Sequence, residues 1–574
     1  MIVYMNSKIL VSEFLMQCGK HSFVHYLEYP SDPTMWDVAL PCFVLAKELK
    51  QSPMQIAQQI AQELTSQLID QKLQYIANIV AVGPYVNFMM NWAILGEQLI
   101  SQIINQKLQY WRWEVKHELI LVESPWPNTN KPLHLGHVRN MLLGNSLALI
   151  LGAAGYEVRK VDVVNDRGIH ICKSMLAYQK LGNGAEPNKK SDHYVWDRYV
   201  AFDTALEHHP EWEQEAQDML RQWESGDETI RQLWYKMNQR CLDGHAITYQ
   251  RYGTVIEKAY LESDHYLTGK DLVNDGIQKW VFRVNEKGNV VADLSNDQEK
   301  VVLRADGTSI YITQDLALWN IRYEDYHMNR MIYVVGNEQN DHFKALFEIF
   351  SQLWYAFADQ CHHLSYWMIE LPDGKMKSRK GNVVDADNLI DDMHAKCVEL
   401  LLERHPELDE IELHRRAEII AMAAIKMFIL KYDAAKNFVF DRDHSLSFDG
   451  ETWPYVLYSY ARAKTILYKA NKGEEINPLS GGIQVTQDER VLLWMIAKFE
   501  EIIQEAADQY APTIVAKYVL SLASEFNSYY HHTKILDESV AETTRSFRLW
   551  LVSSVAQVLQ NGLMLLGIDT LEQM

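Results

Sequence analysis

The chain has 574 residues, 48% of them hydrophobic, and its 55 basic and 76 acidic residues give a formal charge of −21. Such a length predicts several domains of about 150 residues each, which excludes a single small binding module, and the apolar content excludes a disordered tail. The acidity excludes a histone-like nucleic-acid coat but leaves room for a local stripe of Lys and Arg on a repelling surface.

Six scattered cysteines (Cys18, Cys42, Cys172, Cys241, Cys361, Cys397) include no Cys-x-x-Cys pair. Reduced thiols are therefore expected, with no structural zinc. The amino-terminal stretch is interrupted by Lys8 and Glu13, and no run reaches the roughly 18 apolar residues of a membrane span, so neither a signal peptide nor a membrane segment is expected. In chain order, residues 1–115 mix helical spacing with short strand-like runs, and 76–90 (IANIVAVGPYVNFMM) reads as strand, Gly-Pro turn, strand, giving a compact α+β domain. Two near copies, SQLIDQKLQY at 66–75 and SQIINQKLQY at 101–110, are too few for a solenoid. From 118 the pattern becomes a buried strand (118–123), a Pro/Asn/Gly-rich loop, a helix (138–154) and a second strand (158–164), which is a βαβ unit. Residues 181–251 read as a helical insertion rich in Trp, Glu, Gln and Asp. Strand signals at 281–284, 301–303, 309–313 and 331–335 predict that the sheet resumes after it. Beyond 385 apolar residues recur at helical spacing through 419–431, 455–468, 490–507, 514–530 and 547–566, predicting a helix bundle. The expected domains are 1–115, 116–385 with the insertion at about 181–251, and 386–574.

Two segments carry chemistry. VESPWPNTNKPLHLGHVR (122–139) puts His134, Gly136 and His137 between the first strand and its helix, where open parallel sheets bind ligands. Helix N–H groups there can take phosphates, the glycine allows an adenine to approach, and two imidazoles can donate to phosphate oxygens. It is no Walker loop, and His-x-x-His lacks a third metal ligand in view. DGKMKSRKGNVV (373–384) crowds Lys375, Lys377, Arg379 and Lys380 into a Gly-flanked loop suited to neutralising a pyrophosphate leaving group. Alone, that loop also reads as a solvated basic turn or an RNA-backbone patch.

Together the two segments resemble the paired signatures of class I aminoacyl-tRNA synthetases. With VVNDRGIHICKSMLAY, LRADGTSIYITQDLA, YVVGNEQNDH, SFDGETWPYVLYSYAR and the final GLMLLG, the chain is similar to arginyl-tRNA synthetases from about residue 83 to its end, least so in the insertion. The resemblance implies a doubly wound, Rossmann-like parallel-sheet α/β catalytic domain with an N-terminal α+β domain and a C-terminal all-α bundle. It implies ATP-dependent ligation of L-arginine to tRNA(Arg) through an arginyl-adenylate, with release of pyrophosphate and AMP, Mg2+ accompanying ATP and no covalent enzyme intermediate.

Residue by residue, the resemblance assigns the guanidinium to Asp315 and Tyr311, with Gln339 as a further acceptor, and the α-amino and carboxylate ends to Glu123, Asn128 and His134. It assigns ATP to His134, Gly136 and His137 and to Lys375, Met376, Lys377 and Lys380, with catalytic charge from the two histidines, Lys375, Lys377 and Arg379. Taken alone, Asp315 reads first as a helix-capping acid. A site hydrogen-bonding its substrate at so many points needs no editing domain, and none is read in the chain. Three features depart from the pattern. The second lysine of the general class I loop falls at Ser378, leaving Lys377, Arg379 or Lys131 to replace it and implying that adenylate formation requires tRNA. Trp126 replaces a small polar residue beside the substrate. Trp453 replaces a glycine in a stretch where Leu457 and Tyr460 also differ. For RNA the resemblance points to Tyr85 and Asn87 in the N-terminal domain, though Asn87 reads equally as a satisfied strand residue, and to Tyr455 and Arg462 among Tyr455, Tyr458, Tyr460 and Arg462 of the bundle. A cytoplasmic monomer is expected. Competing readings are a class I synthetase for cysteine or lysine, a small-molecule nucleotidyltransferase, which would leave the bundle unexplained, and an inactive tRNA- or protein-binding paralogue, against which the intact histidines and Asp315 argue.

Overall fold

The computed structural model describes all residues except 1–5, 31–34, 72–73, 111, 183–185, 296, 308–309, 356, 371–383, 441–453, 472–482 and 574. Its chain contacts divide it into two compact units: Met1–Trp113 with Ser447–Gln509 and Ile514–Met574, and Glu114–Leu446 with Tyr510–Thr513.

The first unit opens with α1 (Ser7–Gln17), β1 (Val38–Pro41), α2 (Phe43–Leu49), α3 (Pro53–Gln71), β2 (Ile76–Val82), β3 (Tyr85–Met90) and α4 (Trp92–Gln106). The hairpin expected at 76–90 is β2 and β3, turning at Gly83, whose φ of +57° suits a residue without a side chain. Antiparallel pairing places β3 between β1 and β2.

In the second unit, β4 (Leu119–Glu123), α5 (Leu135–Ala153) and β5 (Glu157–Val164) form the predicted βαβ crossover. Helices α6 (Ile169–Gly182), α7 (Ser191–Ala205), α8 (Glu211–Ser225) and α9 (Glu228–Tyr252) follow, and their core includes Trp212, Trp223, Met237 and Cys241. The tryptophans that mark this insertion in the sequence thus include its packing residues.

The sheet resumes directly afterwards with β6 (Lys258–Leu261), a strand the sequence reading passes over, followed by α10 (Glu262–His265) and α11 (Gly269–Gln278). Next come β7 (Phe282–Val284), β8 (Val290–Asp293), β9 (Glu299–Leu303), α12 (Tyr311–Tyr326), β10 (Arg330–Gly336), α13 (Asn340–Gln352), β11 (Cys361–Tyr366) and β12 (Ile369–Glu370). The main sheet is parallel in the order β11-β10-β4-β5-β6. Two expectations need correction. The signals at 281–284 and 301–303 belong to a separate antiparallel sheet, β7-β8-β9, and not to the parallel one. Of the expected strand at 309–313, residues 310–313 are the entrance to α12, where the Ile310 N–H donates to Thr313 Oγ1 at 3.0 Å; local capping outweighs the β-branched composition.

Helices α14 (Ala386–Arg404) and α15 (Glu410–Leu430) and strand β13 (Phe438–Val439), which pairs with β12, complete this unit. The bundle of the first unit is α16 (Pro454–Asn471), α17 (Gln487–Ala497), α18 (Phe499–Asp508), α19 (Pro512–His532) and α20 (Glu542–Leu565). One helix expected over 490–507 is two, interrupted at Lys498. Buried Asp37 ties this bundle to the hairpin by accepting from Met90 N at 2.7 Å, Trp92 Nε1 at 2.9 Å and Arg490 at 2.9 Å.

Candidate active site

At the carboxyl ends of β4, β5, β6 and β10, chain segments diverge into loops and helix starts and leave room for a ligand. A cavity of about 230 Å³ opens there. It brings together three predicted residues, Tyr311 and Asp315 one turn apart on α12 and Gln339 beyond β10, with Trp126, expected beside the substrate, and adds Glu262 and His342. Asp315 is not the helix cap, a place taken by Ile310; its Oδ2 lies 2.6 Å from His342 Nε2.

Glu262 follows β6 directly and was missed because β6 was missed; an acid at the carboxyl end of a parallel strand is the signal that could have found it. Gln314 Nε2 donates to its Oε1 at 3.1 Å, and burial raises its carboxyl above the ordinary value. Next to it, Ser263 donates its N–H and hydroxyl to Asp166 at 2.9 and 2.6 Å, anchoring the first turn of α10. Trp126 has a left-handed φ of +65° and donates its N–H to Asp162 at 2.9 Å, which holds this strained turn at the cavity wall.

Glu123 does not line the cavity. It is wholly buried at the end of β4 and ion-paired with Arg322 of α12, itself 1% exposed. Burial pushes its carboxyl up to about 7, offset in part by the Arg322 charge and reinforced by Asp315 and Asp162. Asp162 is likewise pushed up to about 7 by burial. Asn128 pairs through its backbone with Asn165, a residue of the cavity wall.

Along the sheet end, His134 is the N-cap of α5. Gly136 N–H donates to His134 Nδ1 at 3.1 Å, and His134 N–H donates to His137 Nδ1 at 3.1 Å, a reciprocal cap built from two imidazoles. With each Nδ1 accepting, hydrogen-bond logic assigns the ring proton to Nε2. Burial pushes His134 down to about 3 and His137 well below its ordinary value, with neighbouring Lys131 adding to both. The pair therefore offers neutral Nε2–H donors at a helix N-terminus, an arrangement suited to phosphate oxygens. A Cβ on Gly136 would lie 3.0 and 3.1 Å from the His134 ring, so the glycine makes room for the cap itself.

Lys131 is half-buried near this turn, and burial lowers its pKa. Lys375, Met376, Lys377, Ser378, Arg379 and Lys380 lie outside the described residues, as does Trp453. Just beyond the basic segment, Val384 accepts the Leu135 N–H at 2.9 Å.

The expected RNA-facing residues are more mixed. Tyr85 is half-buried against Phe43, whereas Asn87 is 5% exposed inside β3. Arg462 stacks over Tyr458 and Tyr530 at 4.5 and 4.8 Å and donates to Asn527. Tyr455 is half-buried, and Tyr460 is in the core.

A parallel sheet with a histidine-capped first helix beside a carboxylate-lined cavity is the catalytic arrangement of a class I aminoacyl-tRNA synthetase, and residues 99–442 match the family model described as tRNA synthetases class I (R), catalytic domain. Residues 8–90 match the arginyl tRNA synthetase N terminal domain and 456–574 the DALR anticodon binding domain, extending the likeness over the segment before residue 83. The chain is 44% identical over 483 residues to a protein of Parabacteroides distasonis named arginine–tRNA ligase, covering 79% of this chain and 81% of that one. It is 39% identical over 561 residues to the protein of that name from Treponema denticola, covering 96% and 94%. The arginyl-tRNA synthetase structure of Thermus thermophilus superposes with a TM-score of 0.84 at 25% identity, covering 99% of this chain and all of that one. The chain belongs to the arginyl-tRNA synthetase family.

Proposed function

We propose that the chain ligates L-arginine to tRNA(Arg) at the expense of ATP. The observation that carries this reading is the cavity bearing both Asp315 and Glu262, with Tyr311 on the same helix face as Asp315. Carboxylates from two separate elements suit the planar, five-donor guanidinium better than the compact ammonium of lysine. No cysteine lines this cavity among the described residues, which disfavours a thiol-selecting site.

In the reaction, a carboxylate oxygen of arginine attacks the α-phosphorus of ATP and pyrophosphate leaves. A ribose hydroxyl at the tRNA end then attacks the adenylate carbonyl, and AMP leaves. Asp315, Glu262 and Tyr311 hold the guanidinium with Gln339 as a further acceptor, and Asn128 acts nearer the reacting end. Glu123 supports the site through Arg322. His134 and His137 donate to phosphate oxygens as charge develops, so positioning and charge stabilisation supply the rate. ATP enters as its Mg2+ complex, with Gly136 and the Lys375–Lys380 segment completing its site. Lys377, Arg379 or Lys131 replaces the lysine absent at Ser378. The regions around Tyr85 and Asn87 and around Tyr455 and Arg462 meet tRNA. The protein acts as a cytoplasmic monomer; among the described residues no helix is long and apolar enough to cross a membrane.

Charging of total tRNA with labelled arginine, lysine, cysteine or glutamine tests the reading, together with pyrophosphate exchange with and without tRNA. Arginine-only charging and tRNA-dependent exchange are expected. ATP and tRNA binding without charging of any amino acid would instead favour an inactive paralogue.

A further inference from the structure

The insertion is tethered to both strands of chain that frame the histidine pair. His245 Nε2 of α9 lies 2.9 Å from the Lys131 carbonyl, and the Tyr252 hydroxyl donates to the Ala386 carbonyl at 2.9 Å. The Lys190 ammonium donates to Asp192 at 2.8 Å, Asp387 at 2.6 Å and Thr248 at 2.6 Å. Asp192, His193 and Asp387 have the composition of a metal site, but this ammonium already satisfies both carboxylates, so the cluster is an internal ion network.

His193, near the start of α7, pairs through Nε2 with Asp385 Oδ2 at 3.1 Å. The same carboxylate caps α14 through Oδ1, accepting from Asp387 N at 2.9 Å and Asn388 N at 3.0 Å. Around Asp385 the backbone forms an antiparallel bridge with His134: Leu135 N donates to Val384 O at 2.9 Å and Ala386 N to Leu133 O at 3.0 Å. His193, Asp385, His134, Lys131 and Trp196 face one cavity of about 190 Å³, distinct from the one lined by Asp315.

We propose that His193 is a positioning residue for the ATP-dependent step, acting through Asp385 to hold the bridge that sets the angle of the His134 turn. The inference rests on the reading of the chain as an arginine–tRNA ligase and deepens it, because it gives the helical insertion a part in presenting the phosphate-binding histidines. The Asp385 carboxylate beside it raises the pKa of His193, which accords with an ion pair between them. Its side chain is 23% exposed and opens onto the cavity that His134 shares. A pair serving only to join α7 and α14 has no need to face that cavity.

The test is steady-state charging by the full-length chain and by His193→Ala, His193→Gln, Asp385→Asn and His193→Ala/Asp385→Asn variants, with ATP and arginine varied separately. Removing this ion pair is expected to lower kcat/KM for ATP about tenfold while KM for arginine changes by less than about twofold. His193→Gln, which keeps an N–H donor, recovers most of the loss, and the double variant is no worse than the worse single one. Asp385→Asn keeps an equally good helix cap, so its effect isolates the pair. Thermal unfolding accompanies each variant; should His193→Ala fail to fold, His193→Gln and Asp385→Asn, which keep side chains of similar size, carry the test. Equal changes in the ATP and arginine constants, unchanged ATP kinetics, or additive losses in the double variant would overturn the proposal. Absence of arginine charging by the unmodified chain would instead refute the functional reading.

Discussion

Replacing Asp315 by Asn removes one negative charge from the cavity and almost nothing of its shape. The side chain is 17% exposed and faces the same space as Glu262, so a bound guanidinium would meet it largely shielded from water. Hydrogen bonds to charged groups contribute about 1.5–3 kcal/mol, and loss of one partner of a buried pair costs about 2–5 kcal/mol. Residual exposure and the retained Glu262 put the expectation in the lower part of that range. About 2–3 kcal/mol corresponds to a loss of roughly 30- to 150-fold in kcat/KM for arginine. KM for ATP should hardly move, and folding should be kept because Asn can still accept from His342. Glu123→Gln should behave oppositely, since the Glu123 carboxylate faces buried Arg322 and not the cavity. It leaves a buried guanidinium without its counter-charge, a cost of about 3–5 kcal/mol that should appear as a lower urea midpoint. Arginine kinetics within about threefold of the parent in Asp315→Asn, or a larger arginine-specific loss in Glu123→Gln, would refute this division of roles.

Gly136→Ala pushes a Cβ against the His134 ring at 3.0–3.1 Å, and should lower kcat for adenylate formation about tenfold or more with KM for arginine kept; pyrophosphate exchange reads it. Burial raises the carboxyl of Glu262, which lines the cavity, and a bound guanidinium favours its ionised form. Arginine binding therefore releases a proton there, so kcat/KM for arginine should rise with pH as this raised carboxyl ionises and level off above, and Glu262→Gln should flatten the rise. In the other unit, Arg490→Met strands the buried Asp37 carboxylate, already raised by burial, and should lower stability by about 3–5 kcal/mol in a denaturant titration while leaving pyrophosphate exchange at saturating substrate intact.

Much of the site was legible because its signals are short-range. An apolar run followed by a Pro/Asn/Gly loop and two histidines three residues apart is enough to specify β4, its turn and α5, and the reciprocal imidazole cap is completed within those same residues. Tyr311 and Asp315 share a helix face by spacing alone, although their helix was read in part as strand because β-branched residues precede it. What escaped was short or long-range. Strand β6 has four residues, too few for a period to stand out, and with it went Glu262.

The sequence by itself determined the class of fold, the βαβ unit with its paired histidines, the bundle and the family, because periodicity, turn chemistry and motif spacing are local properties of the chain. Only the tertiary structure decided which acids meet the cavity and which meet an internal cation. It turned Glu123 toward Arg322, filled the Asp192–Asp387 cluster with Lys190 across 197 positions, and set His193 on Asp385 beside His134. The physical reason is that a carboxylate's partner and pKa depend on burial and on charges within a few ångströms, and chain distance carries no information about either.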